Sequence, residues 1–294
     1  MGLRKRGTAA DHTPDAGTVL RLAVLLQAGV VPAAAWRYLA EAGDAAADLV
    51  AARIDDGADV PTAIAATPGW RDVGAAWRIA ETVGAPLADS LRGIAAALQD
   101  AARTRDEVQV ALAEPAGTAR LMSWLPLVAV ALGALLGFDT LRTLVTNPIG
   151  IVCALAGIGL ILAARRWNAR LVRRADPDDA VAGLGADLMA IALSGGVSLQ
   201  RAEQIVAAAG AGTPDAETRG ILALSHSAGV PAAELLRAAA ALARHRARTE
   251  GRLRAARLSS KLLVPLGVCT LPAFLLLGVA PMLLSVLSTT PLSL

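Results

Sequence analysis

The residues that could do chemistry are few in this 294-residue sequence, and they are scattered along it. His12, His226 and His245 lie far apart, and no His-Glu-x-x-His pair that could hold zinc is present. The only lysines, Lys5 and Lys261, do not follow a glycine-rich phosphate-binding loop. We therefore predict no catalytic residue, no cofactor and no metal site. A motor that runs on nucleotide hydrolysis would have to be a separate chain.

Two further features have a structural and a chemical interpretation. Ser194-Gly195-Gly196 is similar to the surroundings of a catalytic serine, but no partner base stands at a suggestive place. Because a glycine pair also ends helices, we interpret it as a helix stop. Cys153 and Cys269 both lie inside apolar runs, which favours buried thiols over a disulfide framework. These patterns do not predict an enzyme.

The composition is that of a membrane protein with sizeable water-facing parts. Hydrophobic residues make up 55% of the chain, charged residues 18%, and the mean hydropathy is +0.52. Abundant alanine and leucine favour helix over strand, so we expect an all-α integral membrane protein. Buried core helices are the alternative interpretation of the apolar runs. The three predicted transmembrane helices cover residues 119–142, 147–166 and 260–288.

The arginines predict the orientation of these spans. They cluster directly after the second apolar run and directly before the third, whereas the loop between the first two runs, Asp139–Pro148, holds only Arg142. By the positive-inside rule both large polar regions and the N-terminus are cytoplasmic, and the C-terminus is outside. Nucleic-acid binding is the alternative for such clusters, but their position beside the spans favours contact with the lipid bilayer and no nucleic acid. The clusters are Arg165, Arg166, Arg170, Arg173 and Arg174, and Arg248, Arg252, Arg254, Arg257 and Lys261.

The remaining pattern predicts a disordered tail at residues 1–16 and two cytoplasmic helical bundles. The bundles cover residues 17–118 and 175–257. Short amphipathic segments in both regions end at glycines. Four of these glycines are predicted structural turns, namely Gly29, Gly84, Gly196 and Gly229. The two bundles are predicted to be an internal repeat, because similar residues surround corresponding turns.

The repeat has an insertion in its first copy. Gly29 and Gly196 are 167 residues apart (196 − 29), whereas Gly84 and Gly229 are 145 apart (229 − 84). The first copy therefore has 22 more residues between these landmarks (167 − 145), which we place around Asp44–Pro68.

Three segments carry a resemblance to a known family. Leu25–Ala35 looks like an opening helix, glycine turn and second helix. Glu81–Leu91 looks like a Glu-x-x-Gly turn that leads into a long helix, and Arg257–Gly278 is similar to a final span. With the order of helical half, two spans, helical half and final span, the chain resembles the type II secretion system F-domain family. Its alanine-rich and arginine-rich composition and its small size are most similar to those of the tight-adherence (Flp) pilus members.

The resemblance implies a non-enzymatic platform in the inner (cytoplasmic) membrane. It implies that a separate secretion ATPase drives pilin or pseudopilin subunits into a fibre through this platform, which pairs with a second F-domain protein or with itself. Three acidic residues, Glu81, Asp89 and Glu234, are possible partner contacts, with solvated helix faces as the alternative. A membrane transporter or channel component and a membrane-anchored signalling adaptor are the competing functions. Charged groups inside the spans would favour transport, and the uncharged runs within them, Leu121–Phe138, Thr143–Ala164 and Leu262 onward, have none.

Overall fold

The computed structural model describes residues 14–135, 147–175, 181–281 and 283. All regular elements in these ranges are helical, which confirms the all-α prediction for this part of the chain. The predicted tail at residues 1–16 lies mostly outside the described residues. The helices are α1 (Ala16–Gln27), α2 (Pro32–Glu41), α3 (Ala45–Asp55), α4 (Val60–Ala65), α5 (Arg71–Val83), α6 (Leu87–Leu135), α7 (Pro148–Ala175), α8 (Leu184–Ser194), α9 (Leu199–Ala208), α10 (Ala216–Ala228), α11 (Ala232–Pro265) and α12 (Leu271–Phe274).

Aspartates begin several of these helices. The Asp15 side chain accepts a hydrogen bond from the Gly17 amide at the start of α1, and Asp44 accepts two at the start of α3. Such side chains satisfy amides that have no partner inside the helix. The helix α2 instead begins at Pro32, whose missing N–H costs nothing in the first turn.

The chain forms two compact units. The first unit contains Met1–Thr104 and Asp179–Arg248, so it combines both predicted bundles. The sequence predicts two bundles, and in the structure their apolar residues form one hydrophobic core. Trp36 and Trp77 from the first half and Leu188, Met189 and Leu236 from the second are all at least 98% buried in it.

Close backbone approach explains why the halves share a core. Gly195, at the end of α8, lies so near the end of α5 that a Cβ there would be 2.6 Å from the Cβ of Val83. Any larger residue would push the two helices apart. The glycine pair that we interpret as a helix stop therefore also joins the first half to the second.

The predicted insertion consists of two helices. α3 packs against α2, and α4 packs against α5. Gly74 in α5 allows the latter contact, since a Cβ there would lie 2.8 Å from the backbone nitrogen of Ala65. The insertion buries Trp36 and Trp70, whose rings meet edge to face with centroids 5.7 Å apart.

The second unit contains Arg105–Asp178 and Thr249–Leu294. Within it, α7 packs against α12 and against two five-residue π-helical segments, Leu266–Thr270 and Leu275–Val279. The segments flank α12, which contains Pro272. Proline removes a helical donor, and the wider π turn is one way for a helix to accommodate such an interruption.

One helix in the described ranges is long and apolar enough to cross a membrane. It covers Pro148–Leu171 within α7, has a mean hydropathy of 2.0, and has only 17% of its most apolar window buried. A core helix of a soluble protein would be mostly buried, so the exposure of α7 favours a lipid environment. The predicted first and third spans, residues 119–142 and 260–288, extend outside the described residues, and the three-span arrangement stays a prediction.

Candidate functional site

Two of the predicted turns have the same left-handed geometry. Gly84 ends α5 with φ 69° and ψ 26°, and Gly229 ends α10 with φ 68° and ψ 26°. A Cβ at either position would meet nothing within 4 Å. The constraint is therefore the backbone conformation, which residues other than glycine rarely adopt, and not the available space.

The other two turns also have positive φ. Gly29 lies between α1 and α2 with φ 83°, and Gly196 lies between α8 and α9 with φ 76°. The structure thus places each of the four glycines at the end of a helix.

Two of the predicted contact acids lie at equivalent positions. Asp89 is the third residue of α6 and Glu234 the third residue of α11, and they are 145 residues apart (234 − 89), the same offset as the two glycines. Each accepts a hydrogen bond from the arginine three residues later, Asp89 from Arg92 at 2.7 Å and Glu234 from Arg237 at 2.5 Å. Both carboxylates have side chains that are 71% exposed. Acids in a first turn also interact favourably with the positive end of the helix dipole.

A groove of about 300 Å³ in the first unit brings some of these residues together. Asp89 and Arg237 both lie along it, whereas Glu81 is exposed on α5 and is not part of the lining. The serine hydroxyls of the groove donate to carbonyls of their own helices, Ser90 to Pro86 and Ser194 to Ile191. Their lone pairs remain as acceptors. The described lining residues are Pro86, Asp89, Ser90, Gly93, Ile94, Asp187, Ile191, Ser194 and Arg237.

The floor of the groove contains a buried carboxylate. Asp187, in α8, is 9% exposed, and its Oδ2 accepts a hydrogen bond from Nη1 of Arg244 at 2.6 Å. Nε of Arg244 lies 3.4 Å from Oδ2 of Asp100, within ion-pair distance but without hydrogen-bond alignment. Burial raises the pKa of Asp187, and the nearby guanidinium of Arg244 opposes that effect without cancelling it. We call Asp100, Asp187 and Arg244 the charge cluster.

The charge cluster connects three helices of both halves. Asp100 is on α6, Asp187 on α8 and Arg244 on α11. Sequence reasoning missed it, although Asp187 is the one charged residue in the otherwise apolar helix LGADLMAIALS. A lone carboxylate in such a helix indicates a buried, paired charge, but its partner is 57 residues away.

A second ion pair joins the same two long helices within the second unit. Nε of Arg252, on α11, lies 2.8 Å from Oε2 of Glu107, on α6. These residues are 145 apart (252 − 107), again the offset between the two halves. Equivalent positions of the two long helices therefore face each other here.

The described residues provide no metal-binding group. Among them, no cluster of three histidine, cysteine, aspartate or glutamate side chains could hold an ion. His226 and His245 lie on exposed helix surfaces. The groove offers a carboxylate, hydroxyl oxygens and a guanidinium, which suits the recognition of a polar partner.

Comparison with known proteins identifies the family. Residues 19–134 match the model described as type II secretion system (T2SS), protein F. This range runs from α1 almost to the end of α6, so it contains Gly29, Gly84, Asp89 and the insertion. The chain therefore contains an F domain of this family over residues 19–134, which confirms the resemblance for that part of the chain. No curated protein and no solved structure matches the chain.

Proposed function

We propose that this protein is an inner-membrane platform of a type II secretion or type IV pilus machine, of the tight-adherence kind. Proteins of the F family are structural components of such platforms and work beside a secretion ATPase and pilins. In this proposal the chain couples that ATPase, a separate protein, to the extraction and polymerisation of pilin subunits. It does so as a scaffold, together with a second F-domain protein or a second copy of itself.

The observation that carries the proposal is the pair of long helices that begin at the matched glycine turns. α6 starts three residues after Gly84 and is 49 residues long, and α11 starts three residues after Gly229 and is 34 residues long. Each contains residues of both units, because the unit boundaries at 104/105 and 248/249 fall inside these helices. A continuous helix transmits displacement along its axis because its backbone hydrogen bonds run along that axis.

The charge cluster supports the coupling role. Arg244 ties α11 to α6 and α8 through a nearly buried ion pair, so a push on one long helix also acts on the other. Breaking such a pair leaves an uncompensated buried charge, which keeps the helices together during small movements. We propose that the partner contacts Asp89 and Glu234, which are exposed at the first turns of the two long helices, and Glu81 beside the first of them.

A site-specific crosslinking experiment tests the function. A photoreactive residue at position 81, 89 or 234 of the full-length chain, irradiated in the native membrane, should capture a secretion ATPase. The matched control is Asp48, an exposed acid in the first turn of α3, which lies away from the long helices. Purification through a tag on the chain, after general crosslinking, should recover pilin-like subunits as well.

Two outcomes would count against the proposal in different ways. If position 48 captures the ATPase as efficiently as positions 89 and 234, the platform remains but the contact site is wrong. If no ATPase or pilin is recovered and a solute-binding or signalling protein appears instead, the transporter or adaptor alternative replaces the platform.

A further inference from the structure

The C-terminal part of α7 has a cationic groove that the platform function does not use. The groove measures about 640 Å³, and its described lining comes from four consecutive turns of α7. Its lining residues are Gly159, Leu162, Ala163, Arg166, Trp167, Arg170 and Leu171.

Two arginines form the polar end of the groove. Arg166 and Arg170 are one turn apart on the same helix face, and both are exposed. In the described part of the chain neither has a carboxylate within ion-pair distance. Two unpaired guanidinium groups one turn apart fit a phosphate, because each can donate two parallel hydrogen bonds to its oxygens.

Small residues form the apolar end. Gly159 and Ala163 are four residues apart, one turn further into the apolar stretch, and a Cβ at Gly159 would meet nothing within 4 Å. Neighbouring side chains such as Ile158 and Leu162 are 51% and 48% exposed. The groove therefore continues from the arginines along an open, apolar track.

Trp167 marks the depth of the groove. It is 44% exposed and lies between the two arginines in the sequence, four residues before the end of the candidate span Pro148–Leu171. Tryptophan prefers the boundary between hydrocarbon and headgroups. A phosphate at Arg166 and Arg170 would thus lie at headgroup level, with the apolar track below it in the hydrocarbon.

From this geometry we propose that α7 binds one anionic phospholipid, with its phosphate between Arg166 and Arg170 and an acyl chain along Gly159 and Ala163. The inference rests on the placement of α7 in the membrane and not on the pilus function. Its test uses lipid alone, so either proposal can fail without the other.

The test reports binding at Trp167 itself. The full-length protein is reconstituted in phosphatidylcholine vesicles that contain a minor fraction of brominated phosphatidylglycerol, and quenching of tryptophan fluorescence is measured. The chain has 5 tryptophans, and the Trp167→Phe variant gives the contribution of the other four. Brominated phosphatidylglycerol should quench Trp167 several-fold more strongly than the same fraction of brominated phosphatidylcholine.

Matched variants distinguish binding of the lipid in the groove from general attraction between the arginines and anionic lipids. Arg166→Gln and Arg170→Gln should each weaken phosphatidylglycerol binding by about fivefold, the value of one cationic side chain near an anionic headgroup. Arg165→Gln makes the same charge change next to the groove and should have little effect, because Arg165 is not part of the lining. Gly159→Leu should weaken binding without any charge change, whereas Ala156→Leu, at an exposed position outside the lining, should not.

The proposal is overturned if both lipids quench equally, or if Arg165→Gln reduces quenching as much as Arg166→Gln. Displacement of the lipid by millimolar inorganic phosphate or glycerol phosphate would also overturn it, since the site would then bind soluble phosphate. Circular dichroism of each variant checks that α7 remains helical, and a variant that retains its helix but loses selective quenching supports the proposal.

Discussion

The helices α5 and α10 occupy corresponding places in the two halves, and both end at a left-handed glycine, yet they are buried to very different extents. α5 has seven buried residues among its 13, whereas α10 has two, Thr218 and Leu222, among its own 13. The large side chain Leu224, in α10, is 54% exposed. The same local structure, a 13-residue helix that ends at a left-handed glycine, therefore occurs in two different packing environments.

The insertion accounts for much of this difference. α4 packs on α5, while the second half has no equivalent of α3 and α4 between α9 and α10. The first half thus contains the tryptophan-rich part of the core and coincides with the family match over residues 19–134. We infer that the first half supplies most of the hydrophobic core of the first unit, and that the second half packs onto this core through α8.

The largest expected effect is on the free energy of unfolding, when a core side chain of the first half is truncated. Trp77→Ala in α5 should lower the free energy of unfolding by about 3–5 kcal/mol, since it empties a fully enclosed site. Leu222→Ala in α10 should cost about 2 kcal/mol, because its more open surroundings can collapse around the smaller side chain. Chemical denaturation of the purified full-length protein measures both values, and Leu224→Ala is the exposed control. Equal losses for Trp77 and Leu222 would mean that both halves contribute alike to the core.

The next effect concerns the charge cluster that joins the halves. Arg244→Met should cost about 3 kcal/mol at neutral pH, because it leaves Asp187 buried without its partner. The matched control is Arg201→Met, at an exposed position, which should be near neutral. The double variant Arg244→Met, Asp187→Leu should recover most of the loss, since it buries no charge. If the double variant is no better than the single one, packing and not charge explains the effect.

The cluster also predicts a direction of pH dependence. The folded-state pKa of Asp187 is above its unfolded-state value, so the folded protein takes up the proton more readily. Its contribution to stability is fully present below the unfolded-state pKa and is lost as pH rises through the folded-state pKa. Relative to Asp187→Asn, the native protein should therefore become less stable as pH rises from about 4 towards neutral. A difference that is constant over this range would show that burial does not raise this pKa.

The matched turns come next. Gly84→Val and Gly229→Val should each cost about 1–2 kcal/mol, because a β-branched residue opposes the left-handed conformation. We expect both variants to reduce fibre assembly in cells. Gly84→Asn should be milder than Gly84→Val, since asparagine tolerates this conformation. Gly93→Ala, inside α6, is the control and should not reduce stability. Normal assembly in both valine variants would remove the role proposed for the turns.

The smallest effect concerns the start of α10, the less buried helix. Asp215 caps it by accepting a hydrogen bond from the Thr218 amide at 2.7 Å, and this bond holds the pKa of Asp215 below its usual value. Asp215→Ala should cost about 1 kcal/mol at neutral pH, and Asp215→Asn much less. The native advantage over Asp215→Ala should disappear as pH falls below about 4, through the lowered folded-state pKa. An advantage that persists at lower pH would show that the cap does not depend on the carboxylate charge.

Much of the local structure could be predicted from the sequence. The sequence predicts that helices end at Gly29 and Gly84, and in the structure α1 ends at Gln27 and α5 at Val83, directly before these turns. These predictions rest on apolar spacing, on capping residues and on glycine stops, which act within a few residues of each other. The family resemblance rests on the same short-range signals and was confirmed by the match over residues 19–134.

The sequence by itself therefore determined the helices, the turn glycines and the family, because each is encoded in contiguous residues. Only the tertiary structure decided that the two halves share one core and that Gly195 meets Val83. It alone brought both Asp187 and Asp100 within ion-pair distance of Arg244. The physical reason is that these contacts link residues between 57 (244 − 187) and 144 (244 − 100) positions apart, and no local periodicity records which distant faces will meet. Burial then raised the pKa of Asp187, which pairs with Arg244 in the charge cluster.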